Sequence, residues 1–192
     1  MRAAHRFAMA LLLALPLGAG THPTSAAPSA GTPKPQASPA RLGPDGLRRV
    51  KELVTFVEQK PFDEKSADIR AALVKFISDA PDIEVTLHGK MLGDPAKMDR
   101  IYFPLVFGQS MFAMATYLID HPIARSDDPE VQAAGVEGAL RVYEAIRRLK
   151  KDATLAELDR IAELARAGKL AEHVKQVIAE DKNLQPLPRD AK

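Results

Sequence analysis

Beyond Pro44 the chain is a succession of helical hydrophobic periods separated by breakers. Leu47, Val50, Leu53, Val54 and Val57 recur at three- and four-residue spacing. Arg48, Arg49, Lys51, Glu52 and Glu58 fall opposite, which predicts an amphipathic helix ended at Lys60-Pro61. A second helix is expected from an Asp63 N-cap, with Ile69, Ala72, Leu73, Phe76 and Ile77 inward and Pro81 as its stop. Then the period drops to two. Ile83, Val85 and Leu87 alternate with Glu84, Thr86 and His88, and no second run of that kind exists to pair with them. Residues 82–88 therefore read as an extended connection.

Asp94-Pro95 is a helix start, an N-cap residue followed by proline at the first helical position. It leads into Ile101–Ile119, a run without a charged residue. Pro104 inside that run predicts a kink or break near Phe103, with a helix continuing from Leu105 to about Asp120. Asp128-Pro129-Glu130 repeats the start signal for a helix to about Lys151. Gly135 and Gly138 weaken that helix in isolation by about 1 kcal/mol each. A close approach to the 105–119 helix is the expected compensation. Thr154-Leu155-Ala156-Glu157 fits a capping box, Leu158, Ile161, Leu164 and Ala165 form a buried stripe, and Gly168 is a C-cap. A last helix from about Lys169 carries Leu170, Val174, Val177 and Ile178.

These periods define an all-α fold: an irregular bundle of five to seven helices over residues 45–184, around a central apolar helix at about 105–120. A run as apolar as 101–119 belongs either in a core or in a bilayer. Pro104, Gly108, Gln109, Ser110 and Thr116 interrupt it, and amphipathic helices surround it, so it is read as a core helix. No transmembrane segment is expected in the mature chain.

Composition changes the picture at the N-terminus. Arg2 and Arg6, the apolar run Phe7–Leu17 and small residues through Ala26 and Ala27 have the layout of a secretory signal peptide over residues 1–26. Residues 27–44 are rich in Pro, Ala and Ser and read as a disordered linker; residues 185–192 read as a flexible tail. The expected location is periplasmic or secreted. There is no cysteine, which excludes a disulfide scaffold, a thiolate metal site and a cysteine nucleophile. Residues 45–184 carry 21 basic and 24 acidic side chains, a net of about −3. No nucleic-acid partner is expected, because that needs a concentrated basic surface. Arg147, Arg148, Lys150 and Lys151 are the one basic cluster, and cations at a helix C-terminus complement its dipole.

Three sets of residues carry candidate chemistry. Gln109, Thr116 and Asp120 share one helix face, and with His121 they form a candidate ligand-binding set. Asp120 needs a cationic partner, and Arg125 and His121 are nearest in sequence. Met111 and Met114, with histidines, are candidate ligands for copper. Asp120-His121 is a candidate acid–base pair of a hydrolase-like enzyme. No nucleophile elbow, phosphate loop, calcium loop or zinc helix accompanies them. The reading favoured is a non-enzymatic binding or interaction module without a cofactor, engaging a protein or small-molecule partner in the periplasm. Copper binding and hydrolysis are the alternatives.

Overall fold

The computed structural model describes residues 42–80, 82–94, 96 and 99–184, so the signal-peptide, linker and tail expectations before 42 and after 184 lie outside the described residues. Six α-helices follow in order: α1 Pro44–Gln59, α2 Ser66–Asp79, α3 Phe103–Asp120, α4 Pro129–Leu149, α5 Ala156–Arg166 and α6 Leu170–Leu184. No strand occurs among the described residues, and Ile83–His88 is extended without a ladder. The fold is an all-α helical bundle. No helix of the described residues is long and apolar enough to cross a membrane.

Local chemistry accounts for most ends. Pro44 and Pro129 sit in the first turns of α1 and α4, where a missing N–H costs no helical bond. Gly168, at φ +71°, closes α5: its N–H donates to the Ala165 carbonyl and that of Lys169 to the Leu164 carbonyl, a Schellman arrangement. Four expectations are corrected. The Asp94-Pro95 signal starts no α-helix among the described residues; α3 begins at Phe103. Asp99 supplies the turn into it, with its Oδ1 accepting from the N–H groups of Ile101 and Tyr102. Pro104 thereby falls in the first turn of α3, and α3 runs unbroken to Asp120. Asp63 bonds the Lys65 N–H in the turn before α2 rather than capping the helix. Thr154 forms no capping box; the Leu155 N–H is taken instead by the Tyr143 hydroxyl of α4, at 2.9 Å.

The core is organised on α3. Its Val106 packs with Met91, Leu92 and the inner faces of α4, α5 and α6. Phe112 joins Val50, Val54 and Val57 of α1 and Leu73 and Phe76 of α2. Met114 and Leu118 join Val131, with Ile83, Val85 and Leu87 of the extended segment against them. That segment has no neighbouring strand, so its backbone polar groups need other partners. Gln132, fully buried on α4, provides them. Its Nε2 donates to the carbonyls of Thr86 (2.6 Å) and Ser126 (2.5 Å), and its Oε1 accepts from the His88 N–H at 3.4 Å.

The expected close approach of α4 to the central helix is present. A Cβ on Gly138 would lie 2.4 Å from the Ala113 Cβ and 3.2 Å from the Gln109 carbonyl oxygen of α3. A Cβ on Gly135 would lie 2.7 Å from Met114 Cγ and 2.9 Å from Ser110 Oγ, side-chain atoms rather than backbone. Alanine at either position gains helix propensity of about 1 kcal/mol. At Gly138 the obstruction is a neighbouring Cβ and backbone, so the helices must separate. Gly138→Ala is expected to lower unfolding free energy by about 1–3 kcal/mol, as overpacking does, and Gly135→Ala by clearly less. Urea denaturation of both variants checks this, and equal losses would show that Met114 does not yield.

Candidate functional site

Three helices present one face each to a single cleft of about 370 Å³. Lys51, Thr55 and Glu58 come from α1, Thr116, Tyr117 and Asp120 from α3 with His121 just beyond it, and Ala134, Glu137 and Arg141 from α4. In α1 and α4 these positions are three, four or seven apart, and in α3 Asp120 lies three and four residues from Tyr117 and Thr116, the spacing that keeps side chains on one face. The cleft exists where it does because Gly138 and Ala113 draw α4 onto α3 while α1 packs across both.

Its polar groups are organised in two layers. In the deeper layer the Glu58 carboxylate, 13 % exposed, accepts from Arg141 Nε at 2.9 Å and from Gln109 Nε2 at 3.1 Å. The Gln109 amide also reaches the Val54 carbonyl at 3.4 Å. At the rim, Lys51 Nζ meets Asp120 Oδ1 at 2.8 Å, with both side chains more than a third exposed. His121 stacks on Tyr117 with ring centroids 4.0 Å apart, and its Nδ1 lies 2.9 Å from the Tyr117 carbonyl. A carbonyl only accepts, so Nδ1 carries the hydrogen and the neutral ring keeps its lone pair on Nε2. Thr116 donates to the Phe112 carbonyl of its own helix at 2.9 Å. Lys51 and Arg141 face Glu58, Asp120 and Glu137, so the lining is of mixed sign with one carboxylate in excess.

Of the residues singled out from sequence, Thr116, Asp120 and His121 line the cleft, and Gln109 lies beneath, bracing Glu58. The cation on Asp120 is Lys51 of α1, not Arg125 or His121: Arg125 is occupied by Asp127. Met111 and Met114 lie outside the cleft lining. Met114 is fully buried against the Gly135 face of α4 and Met111 is half-buried. His88 and His121, the histidines that flank this helix in sequence, have other partners: His88 Nδ1 is 2.6 Å from Asp181 Oδ2, and His121 is held by Tyr117. Among the described residues no group of three or more His, Asp or Glu is arranged to hold a metal ion. Sequence reasoning missed Lys51, Glu58 and Arg141. Glu58, read from the sequence as part of the polar face of α1, is corrected: it lies one turn beyond Val54 and is mostly buried, where a carboxylate needs a partner.

A second cleft of similar volume lies between residues 90–94, α5 and α6, with Lys90, Glu157, Arg160, His173, Gln176 and Glu180 in its lining. Burial pushes the His173 imidazole below its ordinary value and the Arg160 charge adds to this, against opposing contributions from the Met91 backbone and Glu180. Its Nε2 is buried without a hydrogen-bond partner.

The chain matches no family model, no curated protein and no solved structure, so its function has to be argued from this chemistry.

Two measurements probe these groups. A double-mutant cycle on Glu58 and Arg141 is expected to give a coupling of about 1–2 kcal/mol, since the carboxylate is buried and charge-assisted. The exposed Arg48–Glu52 pair on α1 sets the comparison at about 0.3–0.5 kcal/mol. For His173 the folded value lies below the unfolded one, so the unfolded chain binds more protons and stability drops as pH falls through the ordinary value of 6.5 and below. His173→Gln is expected to lose less melting temperature than the wild type between neutral and mildly acidic pH. Parallel curves would remove His173 as the cause.

Proposed function

We propose that this protein is an exported, non-enzymatic binding module whose ligand seats in the cleft between α1, α3 and α4. The observation that carries the reading is the convergence of ionisable side chains of both signs from three helices on one cleft. Its size, about 370 Å³, falls at the lower end of the range for small-molecule sites. The mixed lining suits a small zwitterionic or ammonium-bearing ligand. Its cationic end would meet Asp120 and Glu137, and an acidic end would meet Lys51 and Arg141. The Lys51–Asp120 pair is exposed and so opens at little cost, typically less than about 1 kcal/mol. Glu58 remains as a fixed anion below, held by Gln109 and Arg141. His121 Nε2 offers an additional acceptor.

Binding is favoured over hydrolysis by the partners of the two residues hydrolysis would need. The Asp120 carboxylate is taken by Lys51, and His121 Nδ1 by a backbone carbonyl. A triad-like device needs a base oriented by one group and bonded to a nucleophile on its other nitrogen, and no nucleophile is placed at His121 Nε2 by any of the hydrogen bonds at this site. Export rests on the basic, apolar and small-residue succession of residues 1–27.

The test is native mass spectrometry of protein purified from its own host, together with thermal shift against amino acids, dipeptides and polyamines. A compound present at about a hundred times its Kd should raise the melting temperature by about 5 °C or more. That rise should vanish in Ala134→Phe, which fills the cleft, and shrink in Asp120→Asn. Absence of both a retained mass and any shift would overturn the reading.

A further inference from the structure

Thr116, Asp120 and His121 line the corner of the cleft at the C-terminus of α3, and all three offer it acceptors. The Thr116 hydroxyl donates its one hydrogen to the Phe112 carbonyl at 2.9 Å. His121 Nδ1 donates to the Tyr117 carbonyl, also at 2.9 Å. What remains on each is a lone pair, on Thr116 Oγ1 and on His121 Nε2. The Asp120 carboxylate has acceptor oxygens alone. A helix C-terminus is the negative end of its dipole, which adds a preference for positive charge here.

The group that meets this corner in the structure is a primary ammonium. Lys51 reaches over from α1 and places Nζ 2.8 Å from Asp120 Oδ1. Its side chain is 37 % exposed, against 73 % for Lys75 in the Lys75–Asp79 pair along α2. The Lys51 stem therefore lies against the cleft wall instead of in solvent. Glu137 of α4 is the other carboxylate at the rim, and it is loosely held. Its partner Arg141 has Nη1 3.9 Å away, while Arg141 Nε is committed to Glu58 at 2.9 Å. A cation with three N–H donors and no acceptor matches such a corner. An anion there would face the Asp120 charge and two lone pairs.

We infer, taking the cleft between α1, α3 and α4 as the ligand site, that the Asp120 corner selects a primary ammonium and that Lys51 is its built-in competitor. In the structure Lys51 itself supplies the ammonium. A ligand bearing its own ammonium displaces Lys51 from Asp120, and the freed Lys51 Nζ then meets an acidic group on the same molecule. Charge alone does not satisfy the corner: a quaternary ammonium is equally positive but has no N–H to give Thr116 Oγ1 or His121 Nε2. The displacement exchanges one ammonium–carboxylate pair for another. Lys51 therefore lowers the affinity for a plain alkylamine only by the modest strength of an exposed pair, a factor of about two to five.

Chemical-shift titration of the isotope-labelled mature protein with n-pentylamine tests it, beside tetramethylammonium and pentanoate. Pentylamine is expected to move the resonances of Thr116, Asp120 and His121. Lys51→Met keeps the stem and removes the ammonium, and should bind pentylamine about two- to fivefold more tightly than the wild type. Pentanoate should gain nothing from that substitution. Asp120→Asn should weaken pentylamine at least about fivefold, and tetramethylammonium should bind the wild type at least about fivefold more weakly than pentylamine. Melting of each variant checks the fold, and Lys51→Gln replaces Lys51→Met should the latter be unstable. Pentylamine binding that does not tighten in the Lys51 variants makes Lys51 a staple between α1 and α3 and overturns the inference. Tetramethylammonium binding as tightly as pentylamine overturns it too. Both results leave the cleft reading in place so long as a zwitterion still moves the same resonances. If neither amine nor zwitterion moves them, the cleft reading falls and the inference with it.

Discussion

Helices α3 and α4 touch at the level of their backbones, and the rest of the molecule is arranged around that contact. Gly138 leaves no room for even a methyl group between itself and Ala113, and Gly135 leaves little beside Ser110 and Met114. Opposite Gly138 there is no space for a large side chain, and opposite Gly135 the space is taken by Met114. The other bulky side chains of α3 go to separate clusters, Val106 to one, Phe112 to another and Leu118 to a third. That explains how a helix with hardly any polar face is accommodated in the bundle. Its apolar surface is shared among α1, α2, α4 and the 83–88 segment, so no single neighbour has to cover all of it.

Close packing leaves polar groups that must be satisfied from within, and two glutamines do most of this. Gln132 serves the extended segment as a substitute strand, contacting its Thr86 carbonyl and its His88 N–H, and ties it to the Ser126 carbonyl before α4. Gln109 serves the other side of the α3–α4 seam, turning its amide to Glu58 and the Val54 carbonyl of α1. Both are nearly or fully buried, and unmade bonds there would cost about 1–3 kcal/mol each. The seam is thus bounded on each side by a polar anchor, which fixes α1 and the 83–88 segment against the same helix pair.

What was legible in the sequence follows from how local each signal is. The starts of α1 and α4 at Pro44 and Pro129 and the end of α5 at Gly168 are written in residues adjacent to the feature itself. The glycine face of α4 was legible too, because two glycines in a helix require a compensating neighbour. The Asp94-Pro95 start misled, since Asp99 and Pro104 compete for the same helix and win by delivering the apolar run to the core from its first turn. Leu149 lies three residues after the buried Ile146 yet is mostly exposed, as the last residue of α4. The site was half legible. Thr116, Asp120 and His121 share one short stretch, whereas Lys51, Glu58 and Arg141 reach the cleft only through tertiary packing, and no local rule pairs Lys51 with Asp120 across 69 residues.

The two layers of the cleft differ in what they can do, and burial is the reason. An ion pair with both members in water is held weakly and exchanges partners readily, as Lys51 and Asp120 can. Glu58 cannot behave that way. With 13 % of its side chain exposed it depends on Arg141 and Gln109 for its charge to be tolerated, and removing either donor leaves a partly desolvated anion. A ligand that met the rim would displace mobile charges, whereas one that drew Arg141 away would have to supply a replacement donor to Glu58. That requirement excludes simple anions from the deep end and admits molecules with a donor of their own. The polarity of the site is therefore set by the buried carboxylate on α1, which in turn is held in place by the close approach of α3 and α4.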